Sequence, residues 1–115
     1  MKRYRAVLRL PDGSEHTVEV GGDAHLLDAA LAAGLDLPYS CQQGWCLTCA
    51  ARLIEGSVNQ EDSRRYYAAD RDAGFILPCT ARPESDVVVE THARAAMRAN
   101  RDRHRLPYPK GDWGR

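Results

Sequence analysis

Four cysteines are the residues best able to do chemistry in this 115-residue chain. They stand as Cys41-x4-Cys46-x2-Cys49, with 29 residues before Cys79. That spacing suits a [2Fe–2S] cluster, where each iron takes two bridging sulfides and two thiolates. Three ligands in so short a run make the backbone wrap the cluster closely. Gly44, lacking a Cβ, allows inorganic sulfur to approach the chain. Two ferric ions, two sulfides and four thiolates leave a dinegative group, made trinegative by one electron. Such charge beside a low-dielectric core needs donors aimed at it. The backbone amides from Ser40 to Thr48 and the hydroxyls of Ser40 and Thr48 are the nearest supply, while Gln42, Gln43 and Trp45 set the loop's polarity and its access to water.

Two other uses of four cysteines stay open at this point. A zinc site more often shows two close cysteine pairs, or cysteine with histidine at set spacing. His16, His25, His92 and His104 all lie away from the cysteines in sequence and read as surface or capping residues. Two disulfides need an oxidising compartment. The basic start, Met1-Lys2-Arg3-Tyr4-Arg5, runs into an alternating segment and not an apolar signal core, so a reducing, cytoplasmic setting is expected. Composition is that of one globular domain, with 43% apolar and 28% charged residues. No apolar run approaches the ~20 residues of a membrane span. The net charge of zero hides a split. Residues 1–90 hold 9 Lys+Arg against 14 Asp+Glu, and residues 91–115 hold 7 against 2.

The elements that must position the cysteines follow from periodicity. Tyr4, Ala6, Leu8 and Leu10 alternate on one strand face, and Glu15 to Val20 alternates again after the Pro11-Asp12-Gly13 turn, which predicts a hairpin. Asp23 is placed to cap a helix over 24–33, stopped by Gly34. Residues 35–47 read as a loop and Ala50 to Ile54 as a strand. Asp62 or Ser63 can cap one or two helical turns around Tyr66 and Tyr67. Phe75 to Leu77 and Val87 to Val89 read as short strands. The expected fold is α+β: a small mixed sheet with one main helix and a cluster-binding loop.

The sequence resembles the plant-type (photosynthetic and bacterial) [2Fe–2S] ferredoxins over roughly residues 4–92. The resemblance is carried by Leu27-Asp28-Ala29-Ala30, Asp36-Leu37-Pro38-Tyr39-Ser40-Cys41, Gly44-x-Cys46-x-Thr48-Cys49, Gly56-Ser57-Val58, Gly74-Phe75-x-Leu77-x-Cys79 and Pro83-x-Ser85-Asp86-Val87-Val88-x-Glu90-Thr91-His92. It implies a β-grasp fold. It also implies that Cys41 and Cys46 hold the outer iron, which takes the electron, and that Cys49 and Cys79 hold the inner one. Photosynthetic members present acidic residues and an aromatic in the segment matching Ser63 to Asp70. Here that segment carries Arg64 and Arg65, and Ala93-Arg94-Ala95-Ala96 replaces the acidic C-terminal residues. Weak activity with a chloroplast-type NADP reductase is therefore expected.

Trp45 is a candidate shield or docking anchor, Tyr39 a packing residue beneath the loop, and Tyr66 and Tyr67 packing residues on a helix. Residues 93–105 are rich in alanine and arginine and favour helix, and residues 106–113 read as extended. The division expected is a ferredoxin-type domain over 1–92 and a basic tail over 93–115. The tail's charge suits fold-back on the acidic body or docking of a partner, and no nucleic acid is expected. The reading is a soluble, monomeric one-electron carrier, not an enzyme, working between a reductase or other donor and an oxidoreductase acceptor. A redox-sensing or regulatory iron–sulfur protein, or a zinc-stabilised module, is the alternative.

Overall fold

The computed structural model describes residues 2–39 and 47–107. Strand β1 (Arg3–Arg9) pairs antiparallel with β2 (Glu15–Gly21), from Arg3 opposite Gly21 to Arg9 opposite Glu15. The turn between them closes with Asp12 accepting from the Ser14 amide at 2.8 Å. Helix α1 (Leu26–Ala32) follows, then β3 (Ala51–Glu55), β4 (Val58–Asn59), α2 (Ala68–Asp72), β5 (Phe75–Ile76), β6 (Arg82–Pro83), β7 (Val87–Glu90) and α3 (Arg94–Arg103). The sheet order is β2-β1-β7-β3-β5. The central β1 and β7 run parallel, with Ala6 opposite Val87, and the other pairs are antiparallel. This is the mixed sheet expected of a β-grasp. The small β4–β6 pair was not legible in the sequence.

One face of the sheet supplies Ala6, Leu8, Val18, Val20, Val87 and Val89 to the core, and α1 covers it with Leu26, Leu27 and Ala30. The alternation that forms the strands thus also selects the buried face.

Several boundaries move. Asp23 does not cap α1: the N-cap position is His25, in extended backbone and with no side-chain cap bond. The helix's first amides are satisfied tertiarily instead, Leu26 N–H by Ala81 O and Leu27 N–H by Pro78 O, both at 2.9 Å. Asp62 and Ser63 cap nothing. Helix α2 starts later, after Tyr67, whose amide donates to Asp70 Oδ2 at 3.0 Å. Tyr66 precedes the helix, and its hydroxyl donates to Phe75 O at 2.7 Å. Leu77 lies beyond β5, because its amide goes to the Gln60 side chain and not to a strand.

The longest helix is α3, beyond β7. It packs on α2, and Met97 enters the core. Its start is tied to the body by Ala93 N–H donating to Ala50 O at 2.8 Å. Arg101 near its end is fully buried. Arg101 Nε donates to Asp70 Oδ1 at 2.9 Å and Oδ2 at 3.1 Å, Nη1 to Pro107 O at 2.7 Å, and Nη2 to Arg65 O at 3.0 Å. The guanidinium lies 4.8 Å from the Tyr67 ring centroid. Asn100 Nδ2 adds a bond to Ala69 O at 3.2 Å. An isolated ten-residue helix is marginal in water, so these contacts must supply its stability.

Candidate metal centre

Cys49 and Cys79 are both buried in the apolar core cluster. The sheet register explains why they belong together. Ala51 pairs with Ile76 and Arg52 with Phe75 in the antiparallel β3–β5 ladder. The chain running back from Ala51 to Cys49 and the chain running forward from Ile76 to Cys79 therefore leave the sheet at the same end. Cys41 and Cys46, with Ser40, Gln42, Gln43, Gly44 and Trp45, lie outside the described residues. Among the described residues, no group of three or more His, Cys, Asp or Glu side chains gathers to hold a metal.

The Cys49 segment is built by backbone and apolar packing. Leu47 is fully buried and takes a left-handed φ of 66°. Its carbonyl accepts Ala50 N–H at 3.0 Å, closing a tight turn through Thr48 and Cys49. A leucine in that region costs about 1–2 kcal/mol, which only firm packing can hold. Thr48 and Ala50 are buried with it.

The Cys79 segment is built by polar side chains. Leu77 N–H donates to Gln60 Oε1 at 2.7 Å. Gln60 Nε2 donates to Ser63 Oγ at 2.8 Å and reaches Thr80 Oγ1 at 3.3 Å. Ser63 and Thr80 share a hydroxyl–hydroxyl bond of 2.6 Å. From the other side, the α1 amides bind the carbonyls of Pro78 and Ala81, the residues flanking Cys79 and Thr80. Next to this, His25 Nε2 is 2.8 Å from Asp62 Oδ2, and Arg82 Nε makes an ion pair with the same oxygen at 3.1 Å. The bond to His25, followed by the charge of Arg82, holds the Asp62 carboxyl below its usual range.

Two thiols walled by Leu47, Ala50 and Leu77 fit a group that wants soft sulfur ligands and a dry inner face. No described histidine or carboxylate joins them, so among the described residues neither a mixed cysteine–histidine zinc site nor a hard-cation site is formed. Of the site residues singled out in the sequence, the structure describes Cys49, Cys79 and Thr48, all three buried. Gln60 and Arg101, which no motif marks, and Leu47, whose φ no residue type signals, were not among them.

Comparison with known proteins gives the same chemistry. The chain is 40% identical over 82 residues to the chloroplastic ferredoxin-6 of Zea mays, covering 71% of this chain and 53% of that one. It is 48% identical over 87 residues to the ferredoxin reductase component of the 3-ketosteroid-9-alpha-monooxygenase of Mycobacterium tuberculosis, covering 76% of this chain and 24% of that one. The chain thus spans about half of one relative and a quarter of the other. Among solved structures, pectocin M2 superposes with a TM-score of 0.75 at 31% identity, over 84% of this chain and 35% of that one. Residues 10–84 match the model of the 2Fe–2S iron–sulfur cluster binding domain. A mixed sheet that delivers two buried thiols to one end, in a sequence with that match, places the chain in the 2Fe–2S iron–sulfur cluster binding domain family.

Proposed function

We propose that this chain is a one-electron carrier that takes an electron from a reductase or other donor protein and hands it to an oxidoreductase acceptor. The observation that carries the reading is the burial of Cys49 and Cys79 at one end of the β3–β5 ladder, within a chain of the 2Fe–2S family. Cys41 and Cys46 complete the ligand set. When bound, a [2Fe–2S] cluster supplies one reversible electron at low potential.

The chain's own residues do the rest. Leu47, Ala50 and Leu77 keep water from the inner thiols. Gln60, Ser63 and Thr80 fix the backbone on either side of Cys79, so that the ligand does not move when the charge changes. The hydroxyls of Ser40 and Thr48 and the amides of the 40–48 loop offset negative charge, while Gln42, Gln43, Gly44 and Trp45 set its access to water and to partners. The thiols need a reducing setting, and the cytoplasm supplies it. Among the described residues no helix is long and apolar enough to cross a membrane. Residues 1–92 form the carrier domain and 93–115 extend it. The matched reductase component favours an acceptor or donor within an oxygenase-type electron chain.

Protein-film voltammetry tests the reading. One reversible one-electron wave near about −400 mV is expected. A potential above zero, or no wave, contradicts it.

A further inference from the structure

The charge split of the sequence becomes a surface in the fold. Ser63 bonds Thr80, the residue after Cys79, at 2.6 Å. Arg64 and Arg65 follow at once and are exposed. Arg101 then grips Arg65 O at 3.0 Å and Pro107 O at 2.7 Å, which brings the end of α3 against this same segment. Arg103 and Arg105, both exposed, follow the buried Arg101 in sequence. Asp70, the carboxylate at the start of α2, is fully buried and neutralised by Arg101. Among residues 63–69 and 94–107 the one exposed carboxylate is Asp102.

We infer that the segment Arg64–Arg65 and the C-terminal end of α3 form one basic docking face beside the cluster end of the sheet, which receives an acidic surface of a redox partner protein. The inference rests on the carrier reading above. Electron transfer needs close approach at the cluster end, so charge placed there selects the partner. Charge complementarity speeds encounter by roughly 10–1000-fold at low salt and fades as salt rises. A protein fits better than a long polyanion or an anionic membrane. Residues 1–90 are acidic, with 14 Asp+Glu against 9 Lys+Arg even with Arg64 and Arg65 of this face included, and an extended polyanion meets that repulsion.

The test uses the cluster-loaded, reduced protein and two oxidising probes of opposite charge, acidic plant plastocyanin and basic cytochrome c, each followed by stopped flow from low to high salt. The expected result is faster reduction of plastocyanin at low salt, slowing at least tenfold as salt rises, with no such slowing for cytochrome c. The variant R64E/R65E/R103E/R105E reverses that order. The control variant R3E, at the other end of β1 from Arg9 and therefore away from the Glu90–Arg52 end where the cysteine segments leave the sheet, keeps the order of the two salt slopes. Equal or reversed slopes for the unsubstituted protein overturn the proposal. So does tight, salt-sensitive binding to duplex DNA or phosphatidylserine vesicles without a preference for plastocyanin. A protein lacking the visible absorption of the cluster fails earlier and overturns the carrier reading itself.

Discussion

Cys49 and Cys79 reach the same end of the sheet by opposite means. The Cys49 turn is held by a backbone bond, a left-handed Leu47 and apolar neighbours. The Cys79 turn is held by Gln60, Ser63 and Thr80, and by amides from α1. The two sides meet in α3, which binds Ala50 at its start and Arg65 through Arg101 near its end. An apolar support fails through lost volume. A polar support fails through one unsatisfied atom.

The largest effect is expected at the shared support. Arg101→Met leaves the Asp70 carboxylate buried and unpaired, at a cost of about 3–5 kcal/mol. Thermal denaturation of the loaded protein is expected to show a fall in Tm of about 10 °C or more. The double variant D70L/R101M regains most of that loss, because an apolar pair of similar volume replaces the ions. If the single and double variants melt alike, the ion pair is not what holds α3.

On the Cys49 side, Leu47→Ala removes a fully buried side chain and is expected to cost about 2–4 kcal/mol. Cluster retention on dilution, followed by visible absorption, reports whether the Cys49 turn loosens. On the Cys79 side, Gln60→Ala orphans Leu77 N–H and removes the amide donor to the Ser63–Thr80 hydroxyl pair, which keeps its own bond, for about 1–3 kcal/mol. Gln60→Glu keeps the acceptor for Leu77 N–H and loses the amide donors, so it separates the two halves of the contact. Equal losses for Glu and Ala show that the donors carry the effect.

The smallest effect concerns pH. Burial, followed by the charge of Asp70, raises the Tyr66 phenol to about 12 from an ordinary 10.0. The unfolded chain releases this proton first, so the folded state binds more protons between those values. Stability is fully present below pH 10 and is lost as pH climbs toward about 12. Tyr66→Phe is expected to flatten that alkaline slope while losing about 1 kcal/mol at neutral pH from the bond to Phe75 O. Urea unfolding at a series of pH values checks both.

Much of the fold was legible because alternation and turn chemistry act locally. The β1–β2 hairpin, β7 and the body of α1 followed from residue types alone. The α1 cap was misplaced because its amides are satisfied by Pro78 and Ala81, more than 50 positions away. Helix α2 was placed too early for a similar reason. Asp62 and Ser63 look like caps, but the fold spends them on His25 and Thr80. The cysteines stood out by spacing, whereas Gln60 stood in a polar run with nothing to mark it. Arg101 was one of many arginines in a tail whose charge split suggested fold-back. Only the position of Asp70 in three dimensions makes it the buried one.

The central claim is that Cys41, Cys46, Cys49 and Cys79 hold one [2Fe–2S] cluster that carries one electron. Iron, zinc and acid-labile sulfide analysis of anaerobically purified protein, with electron paramagnetic resonance after reduction, tests it directly. The account predicts two irons and two sulfides per chain, with a single rhombic spin-half signal on one-electron reduction. Stoichiometric zinc in freshly prepared protein, with no such signal, would contradict it.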